Sequence, residues 1–182
     1  MAVSWSKRPE PPMKRLTLMR HGDARWKDAG LTDFERPLSR RGTAAAEAMA
    51  RRLLELELVP ELMLVSPARR AQQTAEIVAR ELSIPARRVV PEEKLYLAAA
   101  RDLLQAVRET GPRISHLLMI AHNPGVSELV GLLVPKNSRG GLGTAAVCSI
   151  AFDAPSWGTL GPETVTQVQH ERPPGRLFGL LG

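Results

Sequence analysis

Three short apolar runs, Leu16–Met19, Leu62–Val65 and His116–Ala121, punctuate the chain, with helical repeats between and after them. This alternation constrains the fold more than any other feature of the sequence. A strand of nearly continuous hydrophobic residues is buried on both faces, as in a parallel sheet covered by helices. Ser39 is an N-cap candidate for a helix that carries Ala46, Met49, Ala50, Leu53 and Leu54 on one stripe. Ser66-Pro67 and Asn123-Pro124 each set a capping residue before a proline suited to the first helical position. The first pair predicts a helix to about Leu82, and the second a helix with Val126, Leu129, Val130 and Leu133 on one face. Asp102–Glu109 reads as a further helix and Arg88–Val90 as a short strand, while Ala146–Phe152 and Thr164–His170 read as strands parted by a turn at Pro155 and Gly158. The expected fold class is α/β, a three-layer α/β/α sandwich around a mostly parallel sheet whose carboxyl edge is the place for a ligand.

At 182 residues, 43% hydrophobic and 24% charged, the chain is sized for one domain. Residues 1–13 read as a flexible extension, 14–172 as the folded domain and 173–182 as a loosely held tail. Met1–Lys14 lacks the apolar segment of a secretory signal and no run is long enough to span a bilayer, so a soluble, cytoplasmic protein without membrane contact is expected. The single cysteine, Cys148, reads as a buried strand thiol rather than a nucleophile. The net charge of +6 invites a nucleic-acid reading. Against it, 20 of the 25 basic residues are arginines, many set among glutamates on helix faces, and only 4% of residues are aromatic, leaving few stacking platforms. No nucleic-acid partner is therefore expected, and the charge suits steering of a phosphorylated or acidic partner. The long connection Asp23–Leu38, with Trp26 and Phe34, reads as a site-lining loop, and Lys136–Gly143, which lacks the ending of a P-loop, as a flexible connection.

The three apolar runs end in Met19-Arg20-His21-Gly22, Val65-Ser66-Pro67-Ala68-Arg69-Arg70 and Ile120-Ala121-His122-Asn123-Pro124. In a parallel sheet these ends lie along one edge, so two imidazoles and two or three guanidiniums converge there. Such crowding of cationic groups calls for an anion, and a neutral imidazole beside a guanidinium fork unites a nucleophile for phosphorus with a clamp for its oxygens. His21, Asp23 and His122 could imitate a metal site, but the adjacent guanidiniums oppose a cation, so no metal is expected. Asp23 orients the site or caps the loop, and Arg36 braces the loop by an ion pair or touches substrate. His116 and His170 lie in expected strands outside these motifs and read as structural or surface residues.

Four ordered segments, Met19-Arg20-His21-Gly22-Asp23-Ala24, Arg36-Pro37-Leu38-Ser39, Leu64-Val65-Ser66-Pro67 through Arg70-Ala71-Gln72-Gln73-Thr74, and Ala121-His122-Asn123-Pro124, resemble the histidine phosphatase superfamily. Within it they resemble the short SixA-type phosphohistidine phosphatases. The resemblance spans about Lys14 to Phe152 and implies a phosphoglycerate mutase-like fold with no cofactor. It implies that His21 is the phosphorylated nucleophile and that Arg20, Arg70 and a protonated His122 hold the phosphoryl oxygens, with Asn123 and Arg36 as further substrate contacts. Arg70, directly before Ala71-Gln72-Gln73-Thr74, fits the pocket arginine better than Arg69. Glu92 or Glu93 is the candidate acid for an ester leaving group. The implied partner is a phosphohistidine protein in signalling or a small phosphate ester, with phosphate or sulfate expected in the pocket. A mutase or phosphatase for small esters, and a non-catalytic phosphoprotein-binding module, are the alternatives.

Overall fold

In the computed structural model, which describes residues 13–25, 30–138 and 140–175, strand β1 (Lys14–Arg20) runs through the middle of a six-stranded sheet. The expected extension over residues 1–12, the end of the tail over 176–182, and Trp26 lie outside the described residues. On one side β1 pairs in parallel with β4 (His116–Ala121), which pairs with β2 (Leu62–Val65), and β2 with β3 (Val89–Pro91), all parallel. On the other side, β5 (Val147–Phe152) is antiparallel to β1, and β6 (Val165–Glu171) is antiparallel to β5. The order is β3-β2-β4-β1-β5-β6, a mostly parallel sheet as expected.

Alternation along the strands builds two cores. Leu16, Leu18, Leu117 and Met119 pack against Leu103 and Val107 of α3 (Ala100–Arg108) and Leu129 and Val130 of α4 (Gly125–Leu133). Met19, Met63, Leu118 and Ile120 face the other way, onto Met49 and Leu53 of α1 (Arg40–Glu55) and Ala75 and Val78 of α2 (Arg69–Glu81). Helices therefore cover both faces, and the crossovers diverge around β1, β4 and β2, the arrangement that opens a crevice at the carboxyl ends of the strands. Among the described residues, no helix is long and apolar enough to cross a membrane.

Helix α1 begins as the sequence predicts, with Ser39 Oγ accepting from the Gly42 N–H at 3.0 Å. The other two proline-marked starts differ. α2 begins at Arg69 behind Ala68, and α4 at Gly125 behind Pro124, neither with a side-chain cap. The reason is competition for the side chains: Ser66 Oγ is bound to His122 at 2.7 Å and accepts only a long bond from the Ala68 N–H (3.4 Å), and the Asn123 amide is bound to Leu142 and Ser127. The segment expected to be a flexible connection is pinned at its far end, where the Leu142 carbonyl accepts from Arg20 Nη1 (3.3 Å) and Asn123 Nδ2 (2.8 Å), and the Leu142 N–H donates to Ser127 Oγ (2.9 Å).

Lys14 is 1% exposed at the start of β1. Its ammonium donates to the carbonyls of Pro112 (2.8 Å) and Ile114 (2.7 Å) and lies 5.5 Å from the Trp157 ring centroid. These bonds offset the cost of burying the charge and tie the first strand to the loop before β4. Cys148 is fully buried, and burial pushes its thiol up to about 12, which leaves it unreactive.

The chain leaves β1 through a close crossing with α1. A Cβ on Gly22 would stand 2.7 Å from the Gly42 carbonyl oxygen, and one on Gly42 would run into the Asp23 carbonyl. Gly42→Ala is therefore expected to cost at least ~1–3 kcal/mol in denaturant unfolding, as overpacking against backbone does. Gly131→Ala in α4, where a Cβ meets nothing within 4 Å, is expected to be neutral or to stabilise by up to ~1 kcal/mol. Equal effects from the two substitutions would contradict the close crossing.

Candidate functional site

β1 and β4 stay in register to their last residues, Arg20 opposite Ala121, and the His21 N–H still donates to the Ala121 carbonyl at 3.2 Å. His21 and His122 are thus the first residues beyond two neighbouring parallel strands, which brings their ring centroids to 4.9 Å. β2, on the far side of β4, delivers Ser66 through a bond from its N–H to the Ile120 carbonyl (2.9 Å). Arg70 rises from the first turn of α2 into the same space. A cavity of about 240 Å³ is lined by Arg20, His21, Asp23, Ala24, Arg36, Arg70 and Thr144.

Arg70 is 4% exposed, whereas Arg69 is exposed, so the arginine chosen from the sequence is the one inside. Its Nε donates to His21 Nε2 and its Nη2 to His122 Nδ1, both at 3.3 Å. A guanidinium has only donors, so both ring nitrogens present lone pairs to it. The proton of His21 accordingly sits on Nδ1, which donates to the Gly22 carbonyl at 2.7 Å. The proton of His122 sits on Nε2, which donates to Ser66 Oγ at 2.7 Å. Burial, with Arg70 and Arg20 nearby, lowers His21 to about 4 against the opposing pull of the Gly22 carbonyl. Burial, His21 and Arg70 lower His122 to about 3. Both rings are neutral near pH 7. A second cation beside buried Arg70 is disfavoured.

The remaining expected residues divide. Arg20 lines the cavity, and among the described residues its buried Nε has no hydrogen-bond partner. Arg36 braces the loop, Nη1 pairing with Asp33 (2.8 Å) and Nε donating to the Arg25 carbonyl (2.9 Å), and it also lines the cavity. Asp23 lines the cavity and accepts from Ser39 Oγ at 2.7 Å, tying the site to the start of α1. Asn123 braces Leu142, and neither it nor His122 is among the residues that line the cavity. Glu92 accepts from the Lys94 N–H at 3.3 Å, and Glu93 is exposed. His116 is structural as expected, bound to Thr17 Oγ1 at 2.8 Å, and is lowered by burial and Arg15 to about 4. Among the described residues, no group of three His, Cys, Asp or Glu side chains is disposed to hold a metal.

Sequence reasoning missed Asp33, Tyr96 and the anchoring role of Thr74. Asp33 Oδ2 pairs with Arg70 Nη2 (2.9 Å) and accepts from Tyr96 Oη (3.0 Å). Thr74 Oγ1 donates to the Arg70 carbonyl (2.7 Å) and accepts from the Gly22 N–H (3.1 Å), locking the two halves of the pocket together. Spacing hints at Asp33 alone, three residues before Arg36; Tyr96 carries no signal in the sequence.

A model of the histidine phosphatase superfamily (branch 1) matches residues 16–95. Phosphohistidine phosphatase SixA of Escherichia coli (strain K12) is 35% identical over 153 residues, covering 80% of this chain and 90% of that protein. A solved structure of the protein histidine phosphatase SixA complexed with tungstate superposes with a TM-score of 0.72 at 28% identity, covering 87% of this chain and 97% of the other. A mycobacterial glucosyl-3-phosphoglycerate phosphatase shares the fold alone, with a TM-score of 0.60 at 17% identity, covering 88% of this chain and 98% of the other.

The three lowered histidines set an acid limit on stability. Unfolded histidines take up protons near pH 6.5, whereas His21, His116 and His122 stay neutral in the folded chain to about 4, 4 and 3. Between those limits the unfolded state binds more protons, so stability falls as pH drops from about 6.5 towards 4. Thermal unfolding between pH 7.5 and 4.5 should show a falling midpoint, and His116→Gln should flatten the fall; a flat wild-type profile would contradict the neutral rings.

Proposed function

Because the chain belongs to the histidine phosphatase superfamily and is a phosphatase, we propose that it hydrolyses phosphohistidine on a protein, through a covalent intermediate on His21. The observation that carries this reading is the tautomer of His21. With Nδ1–H held by the Gly22 carbonyl, the lone pair left for reaction is on Nε2, beside the Arg70 guanidinium. That lone pair forms the Nε2–P bond as the P–N bond to the substrate imidazole breaks; the departing nitrogen keeps the electron pair, and the ring, already protonated on its other nitrogen, leaves as neutral imidazole. Water then attacks phosphorus, the Nε2–P bond breaks and inorganic phosphate leaves. Arg20 and Arg70 hold the phosphoryl oxygens, and the incoming negative charge favours protonation of His122 against the effect of burial and Arg70. Tungstate bound to a related SixA supports an oxyanion as occupant.

The leaving group follows from the acids within reach. The carboxylates beside the cations, Asp23 and Asp33, are engaged as acceptors, and against the upward push of burial Arg36, Tyr96 and Arg70 hold Asp33 down to about 2, so Asp33 is no proton donor near neutral pH. Glu92 is turned to the Lys94 backbone. An imidazole, whose conjugate acid has a pKa of about 6.5, departs without a strong acid, whereas an alkoxide does not. This favours phosphohistidine over an alkyl phosphate ester.

Turnover of a histidine-phosphorylated protein and of an alkyl phosphate tests the reading. Wild type should prefer the first by at least ~100-fold, the scale of general-acid assistance that an ester would lack here. His21→Ala should lower kcat on phosphohistidine by on the order of 1,000-fold, and Glu92→Gln and Glu93→Gln should change it by less than about threefold. Undiminished activity in His21→Ala, or equal use of the ester, would overturn the proposal. With the free nucleophile titrating at about 4, kcat/KM should not fall through protonation of His21 until pH approaches that value.

A further inference from the structure

Arg70 offers its fork to a carboxylate of its own chain. Nη1 donates to the Asp33 carbonyl and Nη2 to Asp33 Oδ2 at 2.9 Å, so Asp33 takes two of the donors through which a guanidinium holds phosphate. Asp33 is itself held in place: Arg36 Nη1 lies 2.8 Å from Oδ1, and Tyr96 Oη donates to Oδ2 at 3.0 Å. The Tyr96 ring meets His122 and Phe34 edge-on at 5.6 and 5.1 Å, and the Phe34 carbonyl accepts from the Arg69 N–H at 3.0 Å. The Asp33 side chain is 47% exposed and that of Arg70 only 5%, so the carboxylate caps the inner cation from the solvent side. The cap leaves a second cation of the pocket to itself: Arg20 lines the same cavity, and among the described residues its buried Nε has no hydrogen-bond partner.

We infer that Asp33 is a displaceable internal anion that occupies Arg70 in the free site and restricts the pocket to ligands able to bridge Arg70 and Arg20. The inference rests on the reading of this cavity as a phosphoryl pocket. A monoanion such as acetate offers Arg70 no more than the tethered carboxylate already does, and has to compete with a group held at high effective concentration. A phosphoryl dianion brings more charge and three oxygens, enough to replace Asp33 on Arg70 and to engage Arg20, which lines the same cavity. Asp33 is thus a specificity-determining residue: it trades affinity for every anion against discrimination for the dianionic tetrahedral group.

Calorimetric titration with inorganic phosphate and with acetate tests this on the full chain. Asp33→Asn should bind phosphate about tenfold more tightly than wild type, the gain expected if the cap keeps roughly nine-tenths of the free sites closed, and should acquire acetate binding. Tyr96→Phe, which loosens the cap without changing charge, should shift phosphate affinity in the same direction by a smaller factor. Asp102→Asn, an exposed carboxylate of α3, controls for net charge and should stay within about twofold of wild type. Phosphate affinity unchanged or weakened in Asp33→Asn, with wild type binding phosphate, would overturn the cap alone. Absence of phosphate binding in wild type and all variants would overturn the phosphoryl pocket itself.

Discussion

Everything at the carboxyl edge of the sheet depends on one buried guanidinium with nowhere to send its charge but inward. Arg70 is enclosed by His21, His122 and Asp33. A cation so placed has to find lone pairs, and it finds them on two imidazole nitrogens and a carboxylate. Burial, seconded by these contacts, keeps both rings neutral, since a proton on either would be cut off from water and would face Arg70 at hydrogen-bond distance. Nucleophile, tautomer and anion affinity are therefore one arrangement rather than three separate features.

The scaffold holds that arrangement by backbone proximity. Two parallel strands in unbroken register deliver the histidines side by side, and Thr74 ties the residue after His21 to the helix that carries Arg70. The near approach of Gly22 and Gly42 lets the first helix start directly against the site, with Asp23 and Ser39 bonded across the junction. On the opposite side, the Leu142 carbonyl receives both Arg20 and Asn123, fixing the second arginine relative to the second histidine. Arg20 and Arg70 thus belong to elements braced independently, which suits a clamp that has to hold its geometry while charge changes in its centre.

Much of this was legible in the sequence because burial and period leave a local signature. Continuous apolar runs announced β1, β2 and β4, and the residues just past them announced the histidines and the choice of Arg70. What was not legible depended on partners distant in sequence. Ser66 and Asn123 carry the local signs of helix caps, but His122, 56 residues from Ser66, and Leu142, 19 residues from Asn123, take those side chains instead. Asp33 is one polar residue in a long polar connection, and only the fold sets it 37 residues away against Arg70.

The most direct test of this account is the site of phosphate on the trapped phosphoenzyme, found by quenching turnover of a histidine-phosphorylated protein in base, where phosphohistidine survives, and assigning the modified nitrogen by NMR. The tautomer of His21 predicts phosphorus on Nε2, with Nδ1 still facing the Gly22 carbonyl. Phosphorus on Nδ1, or on His122 in place of His21, would contradict the arrangement from which the rest is derived.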